Sequence, residues 1–274
     1  MRLLKKIKHG LGWRSRKWWY QLKEVGKPIS GGLSQLKEKA IDPAKEKEIL
    51  ERIREFEQDL GWYQNIELGN GISTKTRRVW GEELDHPRKR FEEVESHIPD
   101  SMKGLSVLDI GCNAGFFSFL AKDRGAEDVV GIDLKQGYID QANFCADVRR
   151  QNIDFHVRDI YDLPALDRTF DMVFCIGILY HCKHLRQAVE AVSSVASGTL
   201  LVETAIHPSH NDFPLVRFIR NSQYGGPDAE NAARLPGHWH PNMTALKDLF
   251  YETGFSRIEE VFTLGGRGGI VCYR

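Results

Sequence analysis

Residues 106–133 read SVLDIGCNAGFFSFLAKDRGAEDVVGID, and the fold class turns on how this stretch divides. Val107, Leu108 and Ile110 form a short apolar run that stops at Gly111-Cys112-Asn113-Ala114-Gly115. From Phe116 the apolar residues recur at helical spacing through Phe117, Phe119, Leu120 and Ala121, and Gly125 marks the stop. Val129 to Ile132 is a second apolar run, closed by Asp133. Strand, glycine turn, helix and strand form the first half of a βαβ nucleotide-binding unit. An acid at the second strand end accepts hydrogen bonds from both hydroxyls of a ribose, and glycines in the first turn let backbone approach the ligand.

The turn selects the nucleotide. A dinucleotide site needs G-x-G-x-x-G to seat a pyrophosphate on a helix N-terminus, and its absence here argues against an NAD-dependent oxidoreductase. Asp109 instead stands two residues before Gly111, and the turn runs Gly111-x-x-x-Gly115. A carboxylate there repels pyrophosphate and attracts an ammonium. S-adenosylmethionine (SAM) carries an ammonium, a ribose and no phosphate, so it is the expected cofactor. Asp109, Gly111, Cys112, Asn113 and Gly115 are expected around its amino-acid end, and Asp133 and Leu134 at the ribose. The stretch resembles motif I of the class I SAM-dependent methyltransferases, with Asp133 matching their ribose-binding acid. Asn113 stands where the commonest form of that motif has glycine, which makes the loop less permissive.

Downstream, Tyr138 to Arg150 reads as a helix and Phe155 to Val157 as a third strand. It ends at Asp159 and Ile160, suited to accept the adenine amine and to pack on its ring, with Asp162 competing for the first role. The fourth strand, Phe170 to Ile176, leads into Gly177-Ile178-Leu179-Tyr180-His181. An open α/β sheet places its ligand at such a strand end, so Ile176 and Tyr180 are expected at the cofactor. Tyr180 and His181 are expected at the chemistry. If the acceptor is a hydroxyl, His181 is the natural general base, with His207 or His240 as alternates, unless it only orients Tyr180. A helix from His184 to Val195 and a fifth strand from Thr199 to Thr204 follow. Glu203, near the end of that strand, either binds an acceptor hydroxyl or satisfies loop backbone.

Residues 205–241 are long and irregular, as a lid or binding loop is. His207, Trp239 and His240 from this insertion, with Trp62 and Tyr63, are the expected acceptor contacts. Four histidines collect in the loop, but no second motif supports a metal. The chain closes with a helix, Met243 to Thr253, and two strands, Ser256 to Leu264 and Gly269 to Tyr273. Such a terminal antiparallel hairpin is similar to the ending of class I methyltransferases.

Upstream, Pro43 to about Leu60 has an apolar helical face of Ile49, Leu50, Ile53, Phe56 and Leu60, with Asp42 as N-cap and Gly61 as stop. A hairpin turning at Asn70-Gly71 follows. Residues 74–98 mix bases with acids, as a solvated helix face does, and Asp85-His86-Pro87-Arg88 is the part suited to an anionic acceptor.

Composition is ordinary for a globular chain, at 41% hydrophobic and 28% charged residues. The net charge of zero is unevenly spread. Residues 1–40 hold eleven Lys and Arg against Glu24 and Glu38, so this end attracts anions. Within residues 1–23, Trp and Tyr interleave with eight bases and no acid. That composition suits an anionic membrane surface, suits RNA through phosphate contacts and base stacking, and suits a helix packed on its own domain. Five dispersed cysteines without C-x-x-C fit a reducing cytoplasm. No apolar run nears the roughly 20 residues that span a bilayer, and no signal-peptide pattern is present. The expected location is cytoplasmic, peripheral at the inner face of the membrane if the arm binds lipid.

From Glu46 onward the chain resembles the methyltransferases related to the bacterial tRNA wobble-uridine carboxymethyltransferase. The matching features are the helix before Trp62, LGNGI, DIGCNAGFFS, GID, FDMVFCIGILYH, LVET and HPNMTALKDLFYETGF. The resemblance implies an α/β, Rossmann-like fold with a mostly parallel seven-stranded sheet, a C-terminal antiparallel hairpin and an N-terminal helical extension. It also implies that Tyr180 lies beside the methionine end of SAM. The related tRNA enzyme has a basic stretch after its equivalent of Trp62, used for a carboxylated SAM, whereas Tyr63-Gln64 stands here, so ordinary SAM is expected.

The expected organisation is a basic arm and linker (1–40), a helix and hairpin cap (41–100) and a SAM-binding domain (101–274) carrying the insertion 205–241. The expected activity is O-methylation of a glycan, lipid-linked or small hydroxylated acceptor by in-line methyl transfer. A tRNA wobble-uridine modifier and a non-catalytic SAM-binding module are the alternatives.

Overall fold

The computed structural model describes residues 43–74, 78–79, 82–83, 86–209, 212–219 and 237–274. The expectations for the arm at 1–40, the Asp42 cap, Asp85 and most of the insertion fall outside those residues. All described residues belong to one compact unit, Glu38–Arg274.

Among the described residues the first helix, α1 (Pro43–Asp59), buries Ile49, Ile53 and Phe56, residues spaced by four and three, so they line one face. It stops where expected: Gly61 has a φ of 76° and its N–H donates to the Phe56 carbonyl at 2.9 Å, a glycine-based helix terminus. Strands β1 (Glu67–Gly69) and β2 (Ile72–Ser73) then pair antiparallel. Asn70 and Gly71 take φ of 50° and 73°, as the two central residues of a type I′ turn must. Two further short strands, β3 (Arg78–Val79) and β4 (Glu82–Glu83), precede helix α2 (His86–Val94).

The main sheet is built from β5 (Ser106–Ile110), β6 (Asp128–Asp133), β7 (Asp154–Val157), β8 (Phe170–Ile176), β9 (Ala196–Ala205), β12 (Arg257–Leu264) and β13 (Arg267–Tyr273). Their order is β12-β13-β9-β8-β5-β6-β7. The five strands from β7 to β9 are mutually parallel, and β13 and β12 add antiparallel. The expected architecture is therefore the observed one. Order reverses at β5: the chain moves outward through β6 and β7, then returns to place β8 on the other side. That reversal opens a crevice at the carboxyl ends of β5 and β8.

Successive strand residues point to opposite faces, which divides the core. Val107, Phe174, Leu201 and Val271 pack on one side, with α1, α2, α3 (Phe116–Asp123) and α4 (Gln136–Arg149). Leu108, Val173, Leu200 and Ile270 pack on the other, with α5 (Leu185–Ser194) and α6 (Met243–Tyr251). Strands buried on both faces read as continuous apolar runs, which is why β5, β6 and β8 were legible. The insertion, expected to be irregular, contains a ribbon, β10 (Val216–Ile219) paired antiparallel with β11 (His238–Pro241).

Trp62 is not at an acceptor surface. It is fully buried, meets Phe56 edge-on at 5.4 Å, and its Nε1–H donates to the Ile53 carbonyl at 3.0 Å. It ties α1 to the core in front of the hairpin. Trp62→Ala is expected to cost about 3–5 kcal/mol, as loss of a buried aromatic does, read as a lowered denaturation midpoint with an unchanged m-value.

Candidate active site

Asp133 closes β6 with both carboxylate oxygens already held. Oδ2 accepts from the Asn113 N–H at 3.1 Å, and Oδ1 from the Lys135 N–H at 3.0 Å. Burial raises its pKa, and these backbone donors oppose that rise. A carboxylate has about four acceptor positions, so the two backbone bonds fix the group and leave capacity for two hydroxyls. Asn113 itself has a φ of 51°, the left-handed region that asparagine tolerates better than most residues, and its Oδ1 accepts from the Ala114 N–H at 2.8 Å. The loop keeps its turn without the glycine expected there.

Gly111 and Gly115 both have positive φ, at 71° and 95°. A Cβ on Gly111 would overlap the Ile178 side chain, and one on Gly115 would sit 2.9 Å from the Phe155 ring. Cys112 is buried, and burial holds its thiol well above the ordinary range. Helix α3 begins after Gly115 with no side-chain cap of its own. Buried Gln64 takes that place, its Oε1 accepting from the Phe116 N–H at 3.0 Å. The segment preceding the β1–β2 hairpin is thereby tied to the glycine turn, a bond that no local sequence pattern announces.

Asp109 is placed differently from expectation. It is buried, and its Oδ2 accepts from both the N–H and the hydroxyl of Ser118, at 3.0 and 2.7 Å. It braces β5 against α3 instead of standing open to an ammonium. Burial pushes its pKa up to about 7, against the Ser118 hydrogen bonds and with help from the Asp133 charge.

At the neighbouring strand ends, Leu134 and Val157 expose apolar side chains, 66% and 45% accessible, next to Asp133, which pairs with Val157. Asp159 caps the 3-10 turn Ile160–Leu166, accepting from the Tyr161 N–H at 3.1 Å. Ile160 packs, partly buried, on the α5 side of the core. Ile176 is half-buried at the end of β8.

Beyond β8, Tyr180 and His181 lie in a 3-10 turn, Leu179–His181, with ring centroids 3.9 Å apart. Burial of the ring first, then His238 and Arg267, lower the His181 pKa to about 4, although the residue as a whole is exposed. It is therefore a neutral imidazole at neutral pH. Tyr63 is 42% exposed, and burial of its hydroxyl followed by Tyr180 raises its pKa to about 12.

Glu203, expected as a catalytic group, is fully buried and committed elsewhere. Its two oxygens accept from Arg267 Nε and Nη2, each at 2.6 Å. Arg90 Nε stands 3.5 Å away and is itself paired with Glu93 at 2.6 Å. The Arg267 guanidinium also lies 4.6 Å over the Tyr180 ring. Sequence reasoning missed Arg267, because a single arginine after Gly265-Gly266 carries no local signal. Arg90 was visible only as part of a mixed-charge run.

Among the acceptor residues expected from the insertion, His207 Nδ1 accepts from the Ser209 N–H at 3.2 Å. Trp239 Nε1–H donates to the Lys183 carbonyl at 3.1 Å. His240 lies beside His238, their rings stacked 6.4 Å apart. Among the described residues no group of three His, Cys, Asp or Glu is placed to hold a metal, and no helix is long and apolar enough to cross a membrane.

Comparison with known proteins agrees with this geometry. Residues 107–197 match a methyltransferase domain family. The chain is 27% identical over 192 residues to the tRNA U34 carboxymethyltransferase of Desulfotalea psychrophila, covering 66% of this chain and 55% of that protein. It is 30% identical over 200 residues to the tRNA U34 carboxymethyltransferase of Pseudomonas savastanoi pv. phaseolicola, covering 70% and 54%. The chain thus spans about half the length of these relatives. In structure it is similar to the N-terminal domain of EvdMO1, crystallised in the presence of SAH and D-fucose, with a TM-score of 0.61 and 19% identity over 83% of this chain and 96% of that one. The chain carries a class I SAM-dependent methyltransferase domain related to the tRNA wobble-uridine group. The expectation of a glycan, lipid-linked or small hydroxylated acceptor is overturned by these relatives, which are named for tRNA U34.

Two outcomes test the site's electrostatics. Arg267→Met strands a buried carboxylate and is expected to cost about 3–5 kcal/mol, whereas the double variant with Glu203→Gln recovers most of it, by chemical denaturation of both. For Asp109 the folded pKa of about 7 lies above the ordinary 3.8, so the folded chain keeps a proton that the unfolded chain releases. Its contribution to stability is full below about pH 4 and is lost as pH rises toward about 7. Asp109→Asn is expected to flatten that decline in a pH series of unfolding midpoints.

Proposed function

We propose that this chain transfers the methyl group of SAM to the wobble uridine of tRNA. The observation that carries the reading is its relation to tRNA U34 carboxymethyltransferases over about two thirds of its length. The eleven Lys and Arg of residues 1–40, against two acids, support it, because cations supply most of the affinity for a phosphate backbone. SAM binds at the crevice between β5 and β8, with its ribose on Asp133, its adenine near Leu134 and Val157, and its sulfonium end toward Tyr180.

The transferred group is a methyl and not a carboxymethyl in this reading. Among the described residues, Arg267 and Arg90 are matched by Glu203 and Glu93, so neither of the two brings a surplus positive charge to a carboxylate on the donor. Tyr63, where the related group carries a basic stretch, adds none.

Methyl transfer from a sulfonium is an in-line displacement, and most of its acceleration comes from holding the acceptor at near-attack distance along the S–CH3 axis. Tyr180, fixed by the Arg267 guanidinium over its ring, forms the wall beside that axis. An oxygen acceptor must also lose a proton. His181, whose pKa is lowered by burial and then by His238 and Arg267, is the group placed to take it.

Incubation of the chain with methyl-labelled SAM and tRNA, followed by nucleoside analysis, tests the reading. Label is expected in the wobble uridine, with the added mass that of a methyl group. Asp133→Ala is expected to weaken SAM binding roughly 10-fold or more, as loss of charged hydrogen bonds to the ribose would. Label confined to lipid or small molecules would sink the reading, and a carboxymethyl product would correct the donor.

A further inference from the structure

Buried and open residues alternate along residues 62–66: Trp62, Gln64 and Ile66 are buried, whereas Tyr63 is 42% exposed and Asn65 half-buried. A buried amide must be hydrogen-bonded, and Gln64 satisfies this with its Oε1 on the Phe116 N–H at 3.0 Å. Its main chain is held in turn. The Thr74 hydroxyl donates to the Gln64 carbonyl at 2.8 Å and accepts from the Ile66 N–H at 2.9 Å, and the Thr74 N–H donates to the Ile66 carbonyl at 3.1 Å. On the other side the Trp62 N–H donates to a Glu57 carboxylate oxygen at 3.1 Å. The amide therefore reaches α3 from an anchored stretch of chain.

Phe116 is the first residue of α3, and its N–H is one of the helix donors that no intrahelical carbonyl can take. The neighbouring N–H groups find partners close by. That of Gly115 donates to the Cys112 carbonyl at 2.8 Å, and that of Ser118 to Asp109 at 3.0 Å. Both of those partners belong to the strand–turn–helix unit itself, whereas Gln64 comes from outside it, 52 residues before the N–H that it holds. Gly115 stands at the N-cap with a φ of 95° and has no side chain with which to cap the helix. The exit of the glycine turn is thus closed by a residue of the segment ahead of the β1–β2 hairpin.

We infer that Gln64 is a positioning residue for the cofactor: by capping α3 from outside the nucleotide-binding unit it holds the turn at 111–115 in the shape that receives SAM. Without the amide a buried N–H loses its partner, and the turn relaxes toward shapes in which water reaches that group. SAM then binds only those molecules whose turn is formed, and the apparent dissociation constant rises by the inverse of that fraction. This inference rests on the placement of SAM proposed above and names the residue that keeps its turn in shape.

The test is calorimetric titration of the full chain with SAM for wild type, Gln64→Leu, Gln64→Glu, Ile53→Val and Asp133→Ala, with the denaturation midpoint of each and hydrogen exchange of the peptide containing Phe116. Gln64→Leu is expected to weaken SAM binding about 10-fold, as for a turn formed about a tenth of the time, and to speed exchange at the start of α3. Gln64→Ala, whose smaller side chain lets the core settle, stands in with the same expectation should Gln64→Leu not fold. Gln64→Glu keeps an acceptor where a helix N-terminus favours negative charge, and is expected to stay within about threefold of wild type. Ile53→Val loosens α1 without touching the cap, so it is expected to lower the midpoint and leave SAM affinity unchanged. Wild-type affinity in Gln64→Leu, or an equal loss in Gln64→Glu or Ile53→Val, with binding still weakened by Asp133→Ala, would overturn this inference alone. Wild-type affinity in Asp133→Ala would overturn it together with the placement of SAM on which it rests.

Discussion

The Glu203–Arg267 pair is the constraint on which the site depends. A carboxylate sealed from solvent at the end of β9 is tolerable only if its charge is met and its lone pairs are used, and Arg267 does both with two 2.6 Å hydrogen bonds. Because Arg267 opens β13, the requirement clamps the antiparallel hairpin onto the parallel sheet at its ligand-binding end. The same guanidinium stacks on Tyr180 and helps keep His181 neutral. Gly177 lies between these elements, where a Cβ would come within 4 Å of both partners. One ion pair thus fixes the end of the sheet, stands over an aromatic wall and adds to the burial that lowers the pKa of the candidate base.

The other side of the crevice follows the same logic with backbone in place of side chains. Asp133 is fixed by two N–H donors before any ligand arrives, and Asn113 supplies one of them only because asparagine accepts a left-handed backbone. Asp109 and Gln64 hold the helix that follows the glycine turn, one from inside the sheet and one from the segment ahead of the hairpin. Pre-organisation of this kind limits the reorganisation needed on binding, which is how a displacement with little acid-base demand is accelerated.

Several residue roles changed when neighbours became visible. Trp62 was expected with Tyr63 among the acceptor contacts, but its indole is core. Glu203 was expected to bind an acceptor hydroxyl or to satisfy loop backbone, but both its oxygens accept from Arg267. The acceptor class changed for a different reason. A basic arm and a histidine-rich loop suit several anionic partners alike, so composition alone could not choose among lipid, glycan and RNA, and the relation to the tRNA U34 group overturned the choice made from it.

What the sequence determined by itself was everything carried by short-range pattern. Doubly buried strands read as apolar runs, the turn at Asn70-Gly71 needed two positive φ values, and Gly111, Gly115 and Asp133 announced a nucleotide crevice without a pyrophosphate seat. These signals lie within one turn or one strand, where periodicity and backbone sterics act. The tertiary structure alone decided which side chains meet across the sheet: Glu203 with Arg267, 64 residues later, Gln64 with the Phe116 N–H, 52 residues later, and Arg217 with His240 across the ribbon. Such pairings arise from strand order and register. A buried charge or an uncapped helix requires some partner, but only the packed fold fixes which residue, however distant in the chain, arrives to supply it.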